Sequence, residues 1–142
     1  MKGFSLLEII IVIVLISIIT VFAIPKFSQI NDKTHITTLK SELSLIRFGV
    51  AKSKNQKVLL LDNQKINSLD DASINKKNEK LFTKVIDFDI ISTDLNEKKI
   101  GSWAKTSSNS YYFYTSTNPF LFTLEEGVFL CKSEEKLCKE IE

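Results

Sequence analysis

Residues 4–24 read Phe4-Ser5-Leu6-Leu7-Glu8-Ile9-Ile10-Ile11-Val12-Ile13-Val14-Leu15-Ile16-Ser17-Ile18-Ile19-Thr20-Val21-Phe22-Ala23-Ile24, and Glu8 is their one ionisable residue. As a helix this stretch would run ~32 Å, about the hydrocarbon thickness of a bilayer. From Ile9 to Ile24 only Ser17 and Thr20 are polar, and 13 of the 16 residues are Ile, Val, Leu or Phe. Those side chains favour insertion by on the order of 6 kcal/mol, against ~2.5–3.5 kcal/mol for an acid at mid-span and less for one near the end, like Glu8. Insertion wins. Only Lys2 precedes the run, while Lys26, Lys33, Lys40 and Arg47 follow it, so charge counting alone does not orient the span.

Away from this run the chain changes character. The 142 residues carry 19 Lys+Arg and 17 Asp+Glu, of which all but Lys2 and Glu8 lie beyond Ile24. That asymmetry excludes a uniform soluble globule, a polytopic membrane protein and a disordered chain. About 117 residues remain for one small domain, too few for a large enzyme. A net charge of +2 is too small to imply a nucleic-acid or acidic partner.

Three readings of the apolar run compete. A cleaved secretory signal would use Lys2 as its basic start and the small Ala23 near its cleavage site, but Glu8 falls in its apolar region and the run is long. A plain single-pass anchor is the second. The third rests on Gly3-Phe4-Ser5-Leu6-Leu7-Glu8, which resembles the prepilin processing motif of type IV pilins and type II secretion pseudopilins. The resemblance covers roughly the first 25 residues, including Pro25 at the end of the run. It implies cleavage between Gly3 and Phe4 by a prepilin peptidase, and N-methylation at Phe4. The leader, residues 1–3, is short for the family but keeps its basic residue. Self-assembly with other pilins or pseudopilins, an inner-membrane assembly platform and membrane lipid before assembly are the partners it implies. The implied location is the bacterial inner membrane, with a short cytoplasmic N-terminus and the head in the periplasm. The implied uses are protein secretion through a pseudopilus, or DNA uptake or adhesion through a pilus.

Glu8 also has a reason that needs no family. A carboxylate in a low-dielectric layer must be neutralised or paired. The amine freed at Phe4 of a neighbouring copy reaches it only when two helices are staggered by about one turn, ~5–6 Å. Such a pair would set axial register between copies, as buried polar groups do in coiled coils. The plainer reading is a carboxylate reaching the cytoplasmic interface.

After Pro25 the apolar residues become periodic. Ile36, Leu39, Leu43, Ile46 and Val50 are spaced 3, 4, 3 and 4, the stripe of an amphipathic helix, with Lys40, Glu42 and Arg47 off it. A helix over residues 4–54 follows, weakened at Pro25 and Gly49. The expected organisation is leader 1–3, membrane helix 4–25, amphipathic continuation 26–54 and head 55–142. The expected class is α+β, a long N-terminal helix packed on a small antiparallel sheet.

In the head, Val58-Leu59-Leu60-Leu61 suits a buried strand or a helical turn. Asp62-Asn63-Gln64 and Ser68-Leu69-Asp70-Asp71 are turn or helix-start signals. Leu81, Phe82, Val85 and Ile86 have helical spacing, predicting a short helix over residues 78–88. Strands are expected at residues 100–105, 111–114, 120–124 and 128–131, with Phe120, Phe122 and Leu124 on one face and a turn at Glu125-Glu126-Gly127. Lys76, Lys77, Lys80 and Lys84 lie among acids and read as a solvated face rather than a nucleic-acid site. Tyr111 to Tyr114 read as sheet core rather than a base-stacking platform.

Cys131 and Cys138 are seven apart, ~10 Å in a continuous helix and beyond disulfide reach, so a bond requires a loop or broken turn between them. Outside the cytoplasm oxidation is expected. The resemblance agrees, since many type IV pilins close a C-terminal loop this way, though usually a longer one. Two cysteines and the distant His35 do not make a zinc site, and no oxygen-ligand set for calcium stands out. No nucleophile elbow, phosphate loop or metal spacing is present, so neither an enzyme nor a cofactor is expected. The alternative to a polymer subunit is a monomeric, membrane-anchored periplasmic binding module.

Overall fold

The computed structural model describes residues 5–62 and 64–142; for residues 24–32 it describes only the helical backbone. Gly3 and Phe4 therefore lie outside the described residues. The class is α+β: a long N-terminal helix, α1 (Leu6–Leu59), a small antiparallel sheet and a short C-terminal helix. The chain divides into two units, residues 1–34 and 35–142.

In the first unit the helix runs through Pro25 without a break. The carbonyl of Ser5 accepts from the amides of Glu8 (3.0 Å) and Ile9 (3.2 Å). Ser5 thus stands at the N-cap with Glu8 three residues on, the spacing of a capping box. Ser17 and Thr20 turn their hydroxyls back onto the carbonyls of Ile13 and Ile16, each at 2.7 Å, so neither leaves a polar group without a partner in an apolar stretch.

In the second unit α1 supplies one wall of the core. Leu39, Leu43, Ile46 and Val50 are buried, and Ile36 is half-buried beside them. The opposite face is not uniformly polar, since Leu45 and Phe48 stand exposed, Phe48 at 70%. Gly49 is buried, and a Cβ there would lie 2.0 Å from the carbonyl oxygen of Val85, so the backbone approach excludes any side chain. The helix continues five residues beyond the expected Lys54, and Val58–Leu61 forms its exposed end rather than a buried strand.

The main sheet is a meander, β3 (Trp103–Lys105), β4 (Ser110–Phe113), β5 (Phe120–Glu125) and β6 (Val128–Cys131), in spatial order 3-4-5-6. Alternation sets its faces: Phe120, Phe122 and Leu124 point inward while Leu121 and Thr123 are half-exposed. Glu126 and Gly127 form the β5–β6 turn at φ 50° and 75°, the signature of a two-residue type I′ hairpin. Trp103 meets Phe82 and Phe113 edge-on at 5.2 and 5.1 Å, and Phe122 stacks on Phe129 at 5.5 Å.

Two expectations need correction. Residues 78–88 are not a helix. Lys80–Leu81 (β1) pairs with Ile90–Ile91 (β2) instead. Phe82 takes φ 60°, so Leu81 and Phe82 both face the core, and only one turn follows, closed by the amides of Val85 and Ile86 on the carbonyl of Phe82. The first strand of the main sheet begins at Trp103 rather than Ile100. Gly101 sits at φ 76° with a Cβ position 2.6 Å from Nδ1 of His35, a place only glycine fills.

Candidate functional site

The most distinctive surface belongs to the first unit. Residues 6–23 have a mean hydropathy of 3.1, and none of that window is buried within the chain. One N-terminal helix is therefore long and apolar enough to cross a membrane. Its 18 residues span ~27 Å. Glu8 lies in its first turn, exposed, as the one acidic residue of that turn. An acid there also interacts favourably with the helix N-terminus, worth typically ~0.3–1 kcal/mol. The helix N-terminus thus gives Glu8 a favourable local environment beside any role between copies.

The head contains a polar constellation that the sequence did not announce. Asp70 is fully buried, and Lys105 on β3 reaches it at 2.7 Å, with the two side chains 0% and 5% exposed. The same carboxylate accepts from the Tyr111 hydroxyl (2.9 Å) and the backbone amides of Phe82 (2.9 Å) and Ala72 (3.1 Å). Lys105 also donates to the carbonyl of Ala72 at 2.8 Å. Burial and the neighbouring Asp70 charge push the Tyr111 phenol well above its ordinary pKa. Every polar atom of the cluster thus has a partner. It ties the 69–82 segment to the sheet and presents no free nucleophile or acid. The signal was a lysine ending an otherwise buried strand, Trp103-Ala104-Lys105.

Glu42 joins α1 to the sheet by accepting from the Trp103 indole at 2.7 Å. Partial burial raises its pKa, and the indole hydrogen bond offsets this only in part. Arg47 donates to the carbonyl of Phe129 at 3.0 Å, occupying a polar group on the outer edge of β6.

Cys131 and Cys138 form a disulfide, with Cα atoms 5.8 Å apart. Residues 132–134 leave the strand, and a short helix, α2 (Glu135–Ile141), then brings Cys138 back. The broken connection that spacing required is present. The lysines of residues 76–84 are paired: Lys76 with Glu79, Lys77 with Glu97, Lys80 with Asp89 and Lys84 with Asp71. Paired in this way they leave little net positive potential for phosphates. Tyr111 and Phe113 are buried, so the aromatic run is sheet core. His35 packs at the backbone of Gly101.

Compared with family models, characterised proteins and solved structures, the chain matches none.

Proposed function

We propose that this chain is a pilin-like structural subunit. After cleavage between Gly3 and Phe4 and methylation of Phe4, it assembles through its N-terminal helix into a type IV pilus or a type II secretion-type pseudopilus. Before assembly, residues 6–23 span the bacterial inner membrane, with a short cytoplasmic N-terminus and the head in the periplasm. In this reading the helix beyond Pro25 continues as an amphipathic segment, its inward stripe against the sheet and its outward Leu45 and Phe48 available to neighbours. Prepilin peptidase, an assembly platform and other pilins are its partners, and protein secretion or DNA uptake is its setting.

One observation carries the proposal: a prepilin-like junction leads directly into an apolar helix, residues 6–23, none of which is buried among the described residues. A run of large exposed aliphatic residues marks a membrane or protein contact. Lipid satisfies it in the monomer and neighbouring helices satisfy it in the polymer. The disulfide suits an oxidising compartment and agrees with this location. The test is sedimentation of the chain from cells of its native host. Material sheared from the surface, or extracted as large particles, should pellet as a regular polymer. A chain recovered only as a monomer in the membrane fraction would support the anchored binding module.

A further inference from the structure

In the described part of the head, large apolar residues stand exposed in a row only at the end of α1. Val58, Leu59, Leu60 and Leu61 are 66%, 82%, 78% and 88% exposed. The core does not account for them: Val50 is the last buried residue of α1, and Leu69 is the next buried residue along the chain. Leu61 adopts φ 55°, where glycine or asparagine is favoured and a leucine is disfavoured.

Three features of this end point to one kind of occupant. The first is its shape. The amide of Leu60 still bonds the carbonyl of Gln56 at 3.0 Å, so residues 58–60 follow the helix and point ~100° apart, to three different sides. A protein groove takes one side of a helix, at spacings of three and four. An end that is apolar in all directions suits a medium that closes around it, such as the boundary of a bilayer. The second feature is the backbone. The carbonyls of Gln56, Lys57 and Val58 accept from the amides of Leu60, Asp62 and Leu61 at 2.9–3.1 Å. These carbonyls, orphaned at an ordinary helix end, have internal partners, as entry into an apolar layer requires.

The third feature is charge. Lys54, Lys57 and Lys65 line a cavity with Val58, and Lys57, Lys65 and Lys84 line another with Leu60. Lys52, seven residues before Leu59, lies on the same side of the helix. The acids on this surface are Asp62, paired with Lys57 at 3.0 Å, Asp71, paired with Lys84, and Glu126. Five cations against three acids leave an excess of two positive charges. Lysine stems lie along apolar surface while their ammonium groups reach for phosphate, so a surface of anionic lipid complements the ring around the leucines.

We infer that this end of the head is a lipid-binding tip: Leu59, Leu60 and Leu61 enter the acyl boundary of a phospholipid surface, and the surrounding lysines meet its anionic headgroups. The contact is separate from the N-terminal span and needs neither processing nor assembly. One tip is small, so binding strengthens where several copies face the same surface.

The test holds the full chain by its N-terminal helix in vesicles of phosphatidylcholine, with a polarity-sensitive dye on Leu60→Cys. Both native cysteines are in the disulfide, so the new thiol alone is labelled. Heavy vesicles of phosphatidylglycerol are then added and pelleted. The expected result is a blue shift of the dye and recovery of the chain in the pellet. Heavy vesicles of phosphatidylcholine should recover about fivefold less. Leu59→Ser with Leu61→Ser should lower recovery about tenfold, and Lys52→Glu with Lys65→Glu about fivefold, with the melting of the head unchanged. The lysine pair keeps the test decisive should the serine variant fail to fold. An unshifted dye, equal recovery by neutral vesicles or recovery indifferent to both pairs of substitutions overturns the inference. A dye already shifted before the heavy vesicles arrive, in proportion to chain density, also overturns it, because a second copy then covers the tip. Each of these failures leaves the assembly reading standing.

Discussion

Two parts of α1 carry large apolar side chains and meet opposite fates. In residues 36–50 the stripe Leu39, Leu43, Ile46 and Val50 is buried under the aromatic side chains of the sheet. In residues 6–23 no residue is buried, although the segment is more apolar. The lesson is about where cover comes from. The first stripe is narrow and periodic, matched to one wall of an internal core. The second is apolar on all sides, which suits a helix surrounded by lipid or by other helices. The two halves should therefore respond to different perturbations.

The largest expected effect falls on the uncovered half. Glu8→Ala should leave membrane insertion and the melting of the head unchanged, yet abolish or severely reduce polymer in the pelleted fraction. Glu8→Gln sharpens the point, since it keeps the size and hydrogen-bonding capacity of the side chain and loses the charge. If Glu8→Gln assembles as the parent does, the charge pair between copies is wrong.

In the covered half the greatest loss should come from Asp70→Ala. Leaving Lys105 buried without its counter-charge costs roughly 3–5 kcal/mol, read as a lowered denaturation midpoint in detergent-solubilised chain. A change below ~1 kcal/mol would mean that water replaces the carboxylate and that the cluster is not closed. Next is the Cys138→Ser variant. On the chain-entropy account of so short a loop it should lose about 2–3 kcal/mol. Neither substitution should alter membrane fractionation; if either does, the separation of the two halves fails.

The smallest effect concerns Glu42. Burial holds its pKa above the ordinary value of 4.5, so the folded chain binds this proton more tightly than the unfolded chain. Stability contributed by the proton is therefore lost as pH rises through the folded value. Glu42→Gln keeps an acceptor for Trp103 and carries no charge. It should gain on the parent at neutral pH, and the gain should shrink as pH falls toward 4.5. Melting curves across that range check this, and a pH-independent difference between the two chains contradicts it.

Much of this architecture was legible because it is periodic. The 3-4 spacing from Ile36 to Val50 marked the residues that α1 buries, and alternation from Phe120 to Leu124 marked the inner face of β5. Glu126-Gly127 punctuated a hairpin. The failures share a different cause. Residues 70–82 are tied to the sheet by one carboxylate, Asp70, which draws in Phe82, Lys105 and Tyr111 from distant positions. Such hydrogen bonds leave no period in the sequence. The turns there also use Asn75, Asn78 and Phe82 at positive φ, where glycine would have been the visible signal. Leu81, Phe82, Val85 and Ile86 therefore mimic a helix over a single turn. The pairing of Cys131 with Cys138 agreed with expectation. Of the proposed processing and assembly residues, Glu8 is located in the first turn of α1.

The most direct test is the mass and first residue of the chain isolated from native membranes. The account predicts loss of Met1, Lys2 and Gly3 and one added methyl group on the nitrogen of Phe4. A chain that still begins at Met1 and carries no methyl would contradict it.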